Sequence, residues 1–373
     1  MSLLIIQPWF GAVGHPAQSL INMASAIGKD ERVEYLVSMN SDSELCLNSM
    51  QRLKSWGKVH GFSVKTFVGR DNTLRAFWAL CRLWIKGSRY QRIFFFDSSL
   101  PMLALLWPIF ARVCSVERIS FLHLHGPELF DRSSWLSRLV TRRFLMRPEV
   151  RFYLRTEELA QAWTVAYKDI AVGNRISTLP SLEIPDGAVH QHPLQPTAQV
   201  KFGLVGQIRP GKGLDWLVPA FQKYPDIGKL TVAGEYSSHE SHAQLSFLDE
   251  FDGFVHCFMS EDEMLQRSAM QDYLLMLYDG SWDKRMESAV LYLAARVNRP
   301  VVVYGDSWSG RMVREFGCGI EAPVDRQQRI EFLRSIPRPG SIEYAGLLDG
   351  MTAFREAHSV ESLRPVLMQE LLG

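Results

Sequence analysis

The run Phe202-Gly203-Leu204-Val205-Gly206-Gln207-Ile208-Arg209-Pro210-Gly211-Lys212-Gly213-Leu214 decides how this chain is read. An apolar stretch stops at Gly206, a turn rich in glycine with one proline follows, and a helical pattern opens at Leu214. That order describes a strand, a loop and a helix start. Backbone N–H groups at a helix N-terminus attract anions, and glycine lets a phosphate come close to the backbone. Arg209 and Lys212 add the mobile positive charge that a diphosphate calls for. The GK[ST] ending of a Walker A loop is absent.

The same rhythm extends on both sides. Downstream, strands are expected at Lys201–Val205, Lys229–Ala233, Phe254–Phe258, Asp272–Leu277 and Pro300–Tyr304. Helices are expected at Leu214–Tyr224, Asp262–Ala269, Lys284–Val297 and Arg311–Phe316. Upstream, Leu3–Ile6, Val33–Val37, Ser63–Phe67, Arg92–Phe96, Ile119–Leu124 and Val150–Leu154 are short apolar runs, mostly separated by helical patterns such as Ala17–Ile27. Strands alternating with helices indicate parallel sheets covered by helices. Proline, histidine and glutamine collect between Ile184 and Ala198, which reads as a linker. The expected plan is a first Rossmann-like domain at 1–185, a linker at 186–199, and a second Rossmann-like domain at 200–345. Residues 346–373 are expected to be helices that pack back on the first domain. Two doubly wound sheets in tandem would face each other across a cleft, where ligands collect beyond the strand C-termini.

With 373 residues the chain is long enough for two cores. Its 47% hydrophobic content excludes disorder as a description of the whole. A net charge of +1 gives no support to nucleic-acid binding. Five scattered cysteines, with no CxxC pair, support neither a disulfide framework nor a structural zinc site. Met1–Ile6 reads as a first buried strand rather than a signal peptide, and Leu100–Val113 is too short and too interrupted by proline to span a bilayer. The expected location is the cytoplasm, with peripheral attachment to the inner face of the cell membrane.

Charge is uneven along the chain. Residues 1–190 carry 23 Lys and Arg against 16 Asp and Glu, a balance of +7, leaving −6 for the remainder. In the basic half, Leu74–Lys86 and Trp135–Arg147 mix arginine with tryptophan and phenylalanine at helical spacing. Each is consistent with an ordinary amphipathic helix on a core. Together they also suit an anionic lipid surface.

The loop at Gly206–Gly213 resembles the G-R-x-x-x-E-K-G segment of family 4 glycosyltransferases with the GT-B fold. Gly206, Lys212 and Gly213 keep that pattern, and Gln207 stands at the usual arginine, with Arg209 two positions on. A second stretch, Leu277 to Trp308, resembles a Y-D…S-S-G…G-K-P-V-V-V…T-W variant found in bacterial polysaccharide glycosyltransferases. Tyr278, Asp279, Ser288, Pro300, Ser307 and Trp308 fit it. Arg285 and Leu293 occupy the two positions where many members carry glutamate. The resemblance covers about Lys201 to Gly319 at motif level.

The resemblance implies transfer of a sugar from a UDP- or GDP-sugar to a glycan acceptor, without a metal or further cofactor. It also implies that the domain at 1–185 binds the acceptor and the domain at 200–345 the nucleotide sugar. A polyprenyl-diphosphate-linked oligosaccharide of exopolysaccharide or lipopolysaccharide synthesis is the expected acceptor. Donor-binding residues would be Gly14, Gly206, Gln207, Arg209, Lys212, Tyr278, Ser288, Ser307 and Trp308. His15, at the end of the Gly-bearing loop Trp9–His15, and His125, Glu128 and Asp131 in the run Phe121–Asp131 are the candidate bases. His123 and His125 could suggest a metal, but no cysteine or carboxylate lies at ligand spacing. A sugar-nucleotide epimerase of the same shape and a non-catalytic sugar-nucleotide-binding module remain alternatives.

Overall fold

A computed structural model describes residues 2–11, 15–40, 43–64, 69–96, 98–113, 116–127, 135–168, 175–185, 199–278 and 284–373. The chain divides into two compact units, Met1–Glu183 with Val360–Gly373, and Ile184–Ser359.

Among the described residues the first unit holds β1 (Leu3–Gln7), β2 (Val33–Met39), β3 (Lys58–Ser63), β4 (Arg92–Phe96), β5 (Arg118–His123), β6 (Val150–Leu154) and β7 (Ile176–Thr178). They form one sheet in the order β3-β2-β1-β4-β5-β6-β7. Its pairings are parallel, with Ile5 opposite both Tyr35 and Phe94. The chain moves outward one way from β1 and then restarts beside it at β4. That reversal makes a switch point between β1 and β4.

The second unit repeats the plan with β8 (Lys201–Val205), β9 (Lys229–Gly234), β10 (Phe254–His256), β11 (Tyr273–Met276), β12 (Val301–Tyr304) and β13 (Gly319–Ala322). The order is β10-β9-β8-β11-β12-β13, so its switch point lies between β8 and β11. Side chains alternate across this sheet. Phe202, Leu204, Tyr273, Leu275 and Val302 enter one core, while Val205, Leu274, Met276, Val301 and Val303 enter another on the opposite face. Both faces are covered, which is why these strands are uninterrupted apolar runs rather than alternating ones.

Two sequence expectations move. Strand β3 lies at Lys58–Ser63, not Ser63–Phe67, and residues 65–68 are outside the described set. It is an edge strand with mostly exposed or half-exposed residues, so it carries no apolar run to read. Polar pairing replaces it: Glu34 on β2 accepts from Lys58 at 3.1 Å and from the Tyr90 hydroxyl at 2.7 Å, and meets His60 at 2.6 Å. Helix Ile342–Ala357 belongs to the second unit, where Met351 and Phe354 enter its core. Within 346–373, only Val360–Gly373 joins the first unit. The linker region 186–199 lies outside the described residues except for Gln199.

Helix Val360–Leu372 completes the first core. Val360, Leu367 and Leu371 are buried with Ile5, Ile21 and Tyr153. The Tyr153 hydroxyl donates to the Glu370 carboxylate at 2.8 Å, and Arg92 donates to the Leu371 carbonyl at 3.2 Å. Leu367→Ala leaves a cavity there and is expected to cost about 2–5 kcal/mol. Denaturant unfolding should show that loss in the first unit alone, with the second unit's transition unmoved; an equal shift of both would contradict this division.

Candidate functional site

The loop after β8 is pinned by its backbone. Gly206 donates to the Ala233 carbonyl at 2.9 Å, Ile208 donates to Glu235 at 2.8 Å, and Ser237 donates back to Ile208 at 2.8 Å. The Ile208 side chain is fully buried, so the loop hangs from one apolar anchor while Gln207 faces solvent. Gly206 has φ +106° and Gly211 φ +84°, conformations that glycine adopts without cost.

Gly213 carries the tightest constraint. It caps helix Leu214–Lys223 with φ +71°, and it offers no side-chain bond to the helix N–H groups. A Cβ added to it would lie 2.6 Å from the Leu277 carbonyl oxygen. The helix start therefore meets the end of β11 across the switch point. Other helix starts in this unit have a side-chain cap, Ser260, Ser288 and Asp325 among them. Here the N-terminal groups point at an open strand end with only the backbone dipole to offer.

Lys212 lies within this turn and is 5% exposed. Its amine sits 5.9 Å from the centre of the Tyr278 ring. No carboxylate pairs with it among the described residues. Burial, reinforced by the charge of Arg209, pushes its pKa down from 10.5 to about 7. Arg209 is itself pushed down by burial. Two cationic side chains share a half-enclosed site, which favours any anion that enters.

Tyr278 links this loop to the second motif. Its hydroxyl is 3.4 Å from the Ser288 hydroxyl, and Ser288 accepts the Val290 N–H at 3.3 Å as cap of helix Ala289–Val297. Burial raises the Tyr278 pKa, so the phenol stays protonated. Tyr278, Lys284, Ser288, Asp306, Ser307 and Ser309 line one small cavity at the ends of β11 and β12. Lys284 and Asp306 form an ion pair at its mouth. Ser307 caps helix Trp308–Phe316: it accepts the Gly310 N–H at 3.0 Å and donates to the Tyr304 carbonyl at 2.8 Å.

Trp308 departs from the sequence reading. It is 4% exposed, packs in the core beside Tyr292 at 6.0 Å, and does not line the cavity. Helix 308–316 starts at this residue, which turns its indole inward. Trp216 was not anticipated. It lies in the first turn after Gly213, stacks on the Arg329 guanidinium at 4.8 Å, and buries an indole N–H that has no hydrogen-bond partner. A tryptophan three positions after a Gly-Lys-Gly turn was the available signal.

In the first unit, helix His15–Ile27 follows the β1 loop. The His15 side chain, Gly14, Glu128 and Asp131 lie outside the described residues, as does Asp279. His125 is exposed two residues beyond the end of β5, and its carbonyl accepts the Trp163 indole N–H at 2.9 Å. His123, 5.7 Å away ring to ring, is half-buried with its Nδ1 shut off from solvent, and burial lowers its pKa to about 3. His123 is therefore neutral across ordinary pH, and the two histidines occupy unlike environments.

No family model matches the chain, and no curated protein matches its sequence. Solved structures do match its fold. HepE from Anabaena, solved in complex with UDP, is 15% identical over 100% of both chains with a TM-score of 0.69. WaaG, a glycosyltransferase involved in lipopolysaccharide biosynthesis, is 14% identical over 100% of both chains with a TM-score of 0.65. The catalytic domain of starch synthase IV from Arabidopsis thaliana, bound to ADP and acarbose, is 12% identical over 100% of both chains at 0.65. The chain thus has the fold of GT-B glycosyltransferases, two Rossmann-like units with parallel sheets of 7 and 6 strands.

Gly213→Ala should cost about 1–3 kcal/mol, because a left-handed backbone and a carbonyl contact both oppose a Cβ. Thermal unfolding measures this, and wild-type stability would show that the turn is not held against β11. Lys212→Met should do the opposite. The unfolded lysine binds more protons than the folded one between pH 7 and 10.5, so native stability gained from this group rises with pH across that window. Removing the amine should therefore raise the melting temperature near neutral pH and flatten its pH slope; a lowered melting temperature would refute the buried charge.

Proposed function

We propose that this protein is a glycosyltransferase that uses a nucleotide-diphosphate sugar as donor and a glycan as acceptor. The observation that carries the reading is the buried Lys212 amine beside Arg209, at a helix start left without a side-chain cap. A diphosphate would meet both cations, accept from N–H groups at the start of the helix, and lie at the switch point between β8 and β11. The fold likeness to HepE solved with UDP-glucose supports a UDP-sugar donor.

In this reading Lys212 and Arg209 stabilise the departing diphosphate, and the Ser288 hydroxyl donates to it from the start of its helix. The glycines at 206 and 213 let the phosphates reach backbone N–H groups. Tyr278 positions Ser288 and shields the Lys212 amine. Gln207, which faces solvent, contacts the outer part of the donor, and Ser307 holds the neighbouring helix start in place. Gly14 would bring the first unit's loop to the donor. A base must take the acceptor proton if the reaction inverts, and His125 suits that task better than half-buried, neutral His123. His15, Glu128 and Asp131 are the other candidates.

The acceptor we infer is a polyprenyl-diphosphate-linked oligosaccharide of polysaccharide assembly, used by an enzyme held peripherally at the inner face of the cell membrane. The excess of basic residues in the first half supports it. No helix among the described residues is long and apolar enough to cross a membrane.

Calorimetry with UDP tests the donor site. Lys212→Ala should weaken binding by roughly tenfold to a hundredfold while the protein stays folded. Diphosphate binding stabilises the protonated amine, so wild-type affinity should fall as pH rises through about 7. That slope should vanish in Lys212→Ala. Unchanged affinity in the variant would reject the assignment.

A further inference from the structure

The first unit carries a groove that sugar transfer leaves unused. It lies between helix Gly69–Ile85 and the edge strand β3, with a volume of about 730 Å³. Its floor is apolar, with Leu36, Phe62 and Leu83 buried there. Its rim is cationic, formed by Arg75, Arg82 and Lys86. Trp78 lies between these cations and is 60% exposed. Positions 75, 78 and 82 fall at steps of three and four, so they share one face of the helix, and Lys86 follows directly after its last residue, its N–H donating to the Arg82 carbonyl at 3.1 Å.

The rim charges are available. Arg75 donates to the Ser63 carbonyl at 3.4 Å, and among the described residues no carboxylate pairs with Arg75, Arg82 or Lys86. An apolar floor beneath three cations matches an amphiphile with an anionic head, whereas a free anion would leave the floor empty. The next helices continue the character. Helix 69–85 packs on helix Leu100–Val113, which packs on Trp135–Leu145. Those helices expose Leu105 at 58% and Trp135 at 69%. Arg138, Arg142 and Arg143 lie on the second of them. Exposed indoles among arginines are the usual chemistry of a membrane interface.

We propose that this groove holds one anionic phospholipid of a bilayer surface. Its phosphate lies against Arg75, Arg82 and Lys86, its first methylenes cover Phe62 and Leu83, and Trp78 sits at the headgroup level. The inference deepens the peripheral reading above and rests on it, but its test requires neither donor nor turnover.

Full-length protein is sedimented with phosphatidylcholine vesicles, with and without phosphatidylglycerol. Wild type should bind only the anionic vesicles, and less so at high salt. Arg75→Ala/Arg82→Ala/Lys86→Ala together should lose roughly 100-fold in affinity. Trp78→Ala should lose about tenfold. In both variants UDP affinity and melting temperature should match wild type, which separates failure of this site from failure of the donor site. Monomeric short-chain phosphatidylglycerol should bind the wild type, and inorganic phosphate should not displace it. Vesicle binding by the triple variant equal to wild type would overturn the proposal. So would absence of wild-type binding, or displacement by inorganic phosphate, which would mark a free-anion site.

Discussion

Keeping an amine and a guanidinium together away from water works against folding, and the second unit is arranged around tolerating it. The Lys212 amine lies beside Arg209 and over the face of Tyr278. The loop that holds them cannot relax, because three backbone hydrogen bonds tie it to β9 and its extension. Gly213 is wedged against the Leu277 carbonyl. The cost of burying the Lys212 amine is one that an entering anion would offset. A site of this kind exchanges stability for affinity, as binding sites often do.

Much of the second unit was legible in its residues because both sheet faces are buried. Strands such as Lys201–Val205 and Val301–Tyr304 are short apolar runs bounded by glycine or proline, a local signal. The phosphate-sized turn was legible for a similar reason, since glycine and proline constrain backbone independently of what surrounds them. Edge strands were harder. β3 is half exposed, β7 spans three residues and β13 is mostly half-buried, so neighbours rather than their own composition decide their pairing.

Orientation of single side chains was not legible. Whether Trp308 turned to the core or the cavity depended on where its helix began, and that start shifted from Arg311 to Trp308. The burial of Lys212 has no sequence signature, because a lysine in a glycine-rich turn is ordinarily solvated. His123 and His125 alternate with leucine in the chain. Yet β5 ends at the first of them, so one is half-buried and the other exposed.

The first unit is assembled from segments on both sides of the second. Its core lacks Val360, Leu367 and Leu371 until residues 360–373 have left the ribosome. Until that helix docks, the first unit shows an open apolar face over Ile5 and Ile21. Detachment of the last helix alone would therefore bare a sticky surface on the first unit while leaving the residues of the second core in place.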